Sequence, residues 1–155
     1  MKQKLLAIAT LAFALAMAMA LTACAGSGTL GDAIDEETGA ITVTAKDAGK
    51  DSAVGASGGL VIGENQLLVI SPNMQKGNLQ VKLTNAAGTS PIDVEVGGTV
   101  LSTYQVEPGE YAFMITCKTN GATGTCVIVA VDAQEFAQQD AELNDKLAKL
   151  GVNLK

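Results

Sequence analysis

The sequence contains no histidine, no arginine and no tryptophan, and each absence removes a class of chemistry. Without imidazole there is no neutral-pH proton shuttle, no His metal ligand and no Ser-His or Cys-His nucleophile pair. All ten basic residues are lysines, outnumbered by 16 carboxylates for a formal charge of −6. There is no guanidinium fork for phosphate, and Tyr104, Tyr111, Phe113 and Phe136 are the only aromatics after residue 24. A nucleic-acid groove is therefore not expected. The same scarcity leaves little surface on which sugar rings could stack. At 155 residues the length suits one domain.

Charge is missing altogether from Leu5 to Ala23, a run of nineteen residues that also lacks Gly and Pro and follows Lys2 and Lys4. Such a run can span a bilayer, and a basic start before an apolar stretch also describes a secretory signal. The next residues arbitrate. Leu21-Thr22-Ala23-Cys24 is an apolar residue, two small ones and a cysteine, which resembles the lipobox of bacterial lipoproteins. The resemblance covers residues 1–24. It implies a signal peptide of residues 1–23, removed before Cys24, whose thiol carries diacylglycerol while the new amino terminus is often acylated too, for instance with palmitate. Small side chains admit the extended backbone to the peptidase, and a thiol is soft enough for thioether formation. The competing reading is an uncleaved membrane helix, for which the Ala-rich run is only weakly hydrophobic. Two or three acyl chains anchor stably where one is marginal. The implied location is the outward side of a bacterial cell membrane or outer membrane, with the membrane itself engaged through the N-terminal lipid.

Residues 24–40 combine Ala25-Gly26-Ser27-Gly28 with Asp32, Asp35, Glu36 and Glu37, a composition expected of a flexible, acidic tether. Losing Lys2 and Lys4 with the signal leaves 8 lysines against 16 carboxylates, a formal −8. A chain of that net charge is expected to be soluble and not to adhere electrostatically to anionic headgroups.

From Ile41 the dominant period is two, the mark of strands with one buried face. Leu79, Val81 and Leu83 alternate with Gln80, Lys82 and Thr84, and Ile92, Val94 and Val96 with Asp93 and Glu95. Further strands are expected at 41–45, 60–62, 66–71, 100–106, 111–117 and 125–131. Their separators are turn formers such as Pro72-Asn73, Gly97-Gly98, Glu107-Pro108-Gly109 and Asn120-Gly121. About eight short strands without room for crossover helices predict an all-β antiparallel sandwich over residues 41–132, jelly-roll-like or alternatively immunoglobulin-like. Within it, Val106 to Phe113 resembles the P-G-x-Y corner of extracellular sandwich modules, which implies a bend at Pro108-Gly109 and a core position for Tyr111.

The period changes at the C-terminus. Asp132 with Glu135 three residues on is a capping-box-like start, Gly151 the expected stop, and Phe136, Leu143, Leu147 and Leu150 share a broad face. An amphipathic helix over 133–151 is expected to pack across an open end of the sandwich. Two cysteines remain. If 111–117 and 125–131 form a hairpin centred on Gly121-Ala122, Cys117 lies opposite Cys126 at a separation that suits a disulfide. A redox pair is disfavoured by the eight-residue spacing, and two buried free thiols are the other alternative.

No catalytic, cofactor-binding or metal-ligating set emerges, and no cofactor is expected. Ser52, Ser57, Ser71, Ser90 and Ser102 lie in no Ser-x-x-Lys, and the acids fall at turns, on an exposed strand face or at a helix cap. Gly55-Ala56-Ser57-Gly58-Gly59 lacks the lysine of a phosphate loop. Two functions from different classes follow. The first is a non-catalytic, lipid-anchored module that binds an envelope protein or glycan; the second is a carboxylate-based or Ser-Lys hydrolase of envelope polymers. Intact mass of membrane-extracted protein should show loss of residues 1–23 plus acyl mass, and Cys24→Ser should leave unprocessed precursor. An uncut, unmodified N-terminus would refute the lipoprotein reading.

Overall fold

Alternation separates inside from outside along most strands: Leu79, Val81 and Leu83 are fully buried while Gln80 and Lys82 between them are half-exposed. The computed structural model describes residues 28–152 and 154, so Cys24 and the signal-like run lie outside the described residues. The described residues form β1 (Thr29–Ile34), β2 (Ile41–Ala48), β3 (Ala53–Ile62), β4 (Gln66–Lys76), β5 (Asn78–Asn85), β6 (Ile92–Gly97), β7 (Ser102–Tyr104), β8 (Gly109–Cys117) and β9 (Ala122–Asp132). The helices α1 (Ala133–Gln138) and α2 (Ala141–Lys149) follow.

Two antiparallel sheets, ordered β1-β2-β9-β4-β7 and β3-β8-β5-β6, face each other across one apolar core. With β1 set aside, 2-9-4-7 over 3-8-5-6 is jelly-roll order: from β2 to β9 every connection except β5 to β6 crosses from one sheet to the other. The expected all-β sandwich is thus present, in its jelly-roll form. Tyr111 is buried at the P-G-x-Y corner, as the resemblance implied, and its hydroxyl donates to the Glu107 carbonyl at 2.7 Å.

Several elements differ from the sequence reading, each for a local reason. The tether segment supplies β1, which pairs with β2 from Thr29 opposite Lys46 to Ile34 opposite Ile41. Its side chains are nearly all exposed, so backbone hydrogen bonding builds the strand and no apolar alternation announces it. The Gly-rich stretch at 55–59 is part of β3, where the register with β8 shifts between Ala56 and Leu60. Such a bulge tolerates small residues. Pro72 lies inside β4 rather than in a turn. Its ring nitrogen faces away from β9, on the side where β7 pairs only as far as Ile70 and where Met74, two residues on, donates to the Gly98 carbonyl. A missing N–H costs nothing there.

The single expected helix is two. Asp132 caps α1 by accepting from the Gln134 and Glu135 amides, the chain turns at Gln139 with φ 53° and ψ 47°, and Asp140 caps α2 by accepting from Glu142 and Leu143. Neither helix closes an open end. Leu143 and Leu147 lie on the outer face of the five-stranded sheet against Val69, Val127, Val129 and Val131, forming a second cluster. This third layer explains why β9 is apolar at consecutive positions: Cys126 and Ile128 face one cluster and Val127 and Val129 the other.

The hairpin register proposed for Cys117 and Cys126 does not form. β8 pairs with β3 and β5, placing Cys117 opposite Leu79, whereas β9 pairs with β2 and β4, placing Cys126 opposite Val43 and Pro72. The strands belong to opposite sheets because the four-residue link between them crosses the sandwich. Both residues are buried as free thiols in the shared core. Burial pushes both upward, Cys126 to about 12.

Neither cysteine of the folded protein should react with a thiol reagent at neutral pH, and both should react once unfolding exposes them without reductant. Recovery of one crosslinked peptide instead would restore the disulfide. An unfolded thiol titrates near pH 8.5 and Cys126 in the fold near 12. Stability should therefore fall as pH rises from about 9 toward 12, with a shallower decline in Cys126→Ala. Separately, Leu147→Ala should lower unfolding free energy by about 2–4 kcal/mol in urea titrations, since Leu147 is 1% exposed. A change under about 0.5 kcal/mol, the usual surface range, would mean that α2 does not form part of the core.

Candidate binding face

Because both helices cover one sheet, the outer face of the other is left open. Its surface consists of the residues alternating with the core-facing ones: Asn78, Gln80, Lys82 and Thr84 on β5, Asp93 and Glu95 on β6, and Glu110, Ala112, Met114 and Thr116 on β8. Side chains on β5 and β6 are joined across the strands, diagonally for Asn78 with Glu95 and Gln80 with Asp93, and directly opposite for Lys82 with Asp93. The Asn78 amide donates to Glu95 Oε1 at 2.6 Å and the Gln80 amide to Asp93 Oδ1 at 2.5 Å, while Lys82 Nζ stands 3.9 Å from Asp93 Oδ2. Thr84 and Ser90 share a hydroxyl hydrogen bond of 2.9 Å. These are cross-strand pairs of the kind that stabilise a sheet surface.

The face has two halves. The β5–β6 side is polar and cross-linked by these bonds, whereas the β3–β8 side presents Met114, 56% exposed, and Val61, 67% exposed. Sequence reading placed Asp93 and Glu95 on this face but did not single out Met114 or Val61. Their signal was present as apolar residues at the solvent phase of alternating strands. At the Asn85 end of β5 the face dips into a shallow open depression of about 360 Å³, lined by Ser57, Thr84, Asn85, Ala86, Glu110 and Ala112. It contains one carboxylate.

The remaining candidates are scattered. Asp47 and Asp51 occupy positive-φ positions around the β2–β3 connection, at 51° and 68°. Ser71 is the one buried polar side chain among the described residues, on the outer phase of β4. Asp35 accepts from both the Thr38 hydroxyl and the Thr38 amide, at 2.7 and 2.8 Å, and these bonds hold its carboxyl below its ordinary value. Burial, followed by the Glu107 charge, raises the Tyr111 phenol. Among the described residues no group of three or more acidic or cysteine side chains is arranged to hold a metal.

No protein-family model and no curated protein matches the sequence. Among solved structures, the Drosophila melanogaster CENP-C cupin domain is 10% identical, with a TM-score of 0.37 over 70% of this chain and 73% of that one. Drosophila melanogaster CENP-C bound to CAL1 is 9% identical, with a TM-score of 0.37 over 66% and 76%. A family 29 carbohydrate-binding module, CBM29-2, is 12% identical, with a TM-score of 0.27 over 74% and 77%. At these values neither ligand nor partner transfers, and the jelly-roll assignment rests on the strand order itself.

Proposed function

We propose that the protein is a lipid-anchored, extracytoplasmic binding module that engages an envelope protein or glycan through the open face of its four-stranded sheet, without a chemical step of its own. The observation that carries this reading is the asymmetry of the two outer sheet faces. One is sealed by α2, whereas the other combines exposed Met114 and Val61 with a fixed row of hydrogen-bonding side chains. A mixed apolar and polar surface held on rigid strands suits recognition. The rival hydrolase needs two acids or a serine and lysine converging on a cleft. Asp93 and Glu95 are instead bonded to their β5 neighbours on an exposed face, and the nearby depression holds Glu110 alone.

A photoreactive group placed at Met114 or Gln80 in the anchored protein should capture a discrete partner in native envelopes, and the same group at Glu142 on α2 should not. Equal capture at both positions would remove the face from consideration. Turnover of an envelope glycan, peptide or ester that survives purification and is lost in Asp93→Asn with Glu95→Gln would establish the hydrolase.

A further inference from the structure

The net charge of the chain conceals a strong polarity along the strands. At one end lie the C-terminus of β2, the β2–β3 loop, the C-terminus of β4 and the β8–β9 link, carrying Lys46, Lys50, Lys76 and Lys118, all exposed. Hydrogen bonds tie these segments into one surface. The Lys50 amide donates to Asn120 Oδ1 at 2.8 Å, the Asp51 amide to the Cys117 carbonyl at 2.9 Å, and the Lys118 amide to the Asn78 carbonyl at 3.0 Å. Lys76 Nζ and Asp47 Oδ1 both approach the position that a Cβ on Gly121 would occupy, at 2.8 and 3.0 Å. Asp47 and Asp51 are the acids of these loops, leaving a local formal charge of +2.

The lysines of this end differ from the others in a second respect. Among the described residues, Lys82, Lys146 and Lys149 each stand within 4.0 Å of a carboxylate, and none of the four at this end does. The opposite end carries Asp35, Glu36, Glu37, Glu64, Glu107 and Asp132 in its connections and strand ends, with no lysine among them.

The basic end is also where the chain enters the domain. Thr29 pairs with Lys46, and Gly28 packs so closely on the Asp47 carbonyl that a Cβ would overlap it. Only Ala25, Gly26 and Ser27 separate Gly28 from Cys24, a span of at most about 14 Å when fully extended. We propose that this end is a membrane-docking surface. With Cys24 lipidated, Lys46, Lys50, Lys76 and Lys118 rest on anionic phospholipid headgroups, the acidic end is directed away from the bilayer, and the open sheet face looks sideways, clear of the membrane surface. The local distribution of charge overrides the repulsion expected from the net charge, because headgroup attraction decays within a Debye length and reaches only the nearest side chains. The proposal rests on lipid anchoring at Cys24.

The test reconstitutes the processed, full-length lipoprotein into vesicles of phosphatidylcholine alone and into vesicles containing phosphatidylglycerol. It measures flotation, then the rate of lysine acylation site by site. Lys46, Lys50, Lys76 and Lys118 should be acylated roughly fivefold more slowly on the anionic vesicles at low salt, with the difference abolished at high salt, while Lys82, Lys146 and Lys149 stay unchanged. The variant Lys46→Gln, Lys50→Gln, Lys76→Gln, Lys118→Gln should float as well as the parent on neutral vesicles. On anionic vesicles its amide hydrogen exchange at Asp51 and Lys118 should lose the slowing seen in the parent. Flotation with equal acylation rates on the two kinds of vesicle would overturn docking and leave the anchor standing. Failure to float on neutral vesicles would overturn the anchor and the docking surface with it.

Discussion

Everything in this fold is arranged around β9, which has no free edge and no free face. Its edges are taken by β2 and β4, one face looks into the inter-sheet core and the other meets α2. From Cys126 to Val131 the strand is apolar on both faces, and there hydrophobicity alone sets the register weakly, because a slip of one residue merely exchanges one apolar set for another. Gly124 resolves the ambiguity. A Cβ there would lie 2.4 Å from the Asn73 carbonyl oxygen, so at this point β4 can approach only a glycine. One residue without a side chain thus aligns the strand on which both clusters depend.

The central position of β9 also allocates chemistry to the two sheets. Covering the five-stranded sheet with a helix consumes the valines of β4 and β9 and the leucines of α2, and leaves the four-stranded sheet to meet solvent. On β5 and β6 its outer phase is accordingly written in Asn, Gln, Lys, Thr, Asp and Glu, whereas β3 and β8 add small residues such as Ala112 and the large apolar side chains Met114 and Val61. Along the perpendicular direction, the loops divide into a lysine-bearing end and an acidic one. The domain therefore has distinct sides and distinct ends, although its composition suggests a uniformly acidic body.

What could be read from the chain alone follows the same physics. Strands such as Leu79–Leu83 and Ile92–Val96 were legible because one wall is dry and the other wet, and Asp132 was legible as a cap because its carboxylate has a local task. The sheet to which a strand belongs was not legible. Cys117 and Cys126 lie close in sequence and in phase, which favours a hairpin on local grounds, yet the jelly-roll crossing sends them to opposite sheets. Nor does period two reveal strands whose side chains face water on both sides, as in β1, or strands interrupted by proline or glycine where a neighbouring strand happens to stop or bulge. For the open face, the positions of Asp93 and Glu95 were readable from alternation. The partners that bind them, Asn78 and Gln80, required the cross-strand register.

The antiparallel pairing of β1 with β2 has a mechanical consequence. The chain enters β1 at Thr29 and runs along β2 to Ile34, so a pull on Gly28 directed away from the domain acts along the strand axis and opposite to the run of the chain. The β1–β2 ladder is then loaded in shear, and the pairs from Thr29↔Lys46 to Ile34↔Ile41 resist together rather than opening one at a time. The strand with the most exposed side chains is thereby held in the direction that best resists a pull on its N-terminal end.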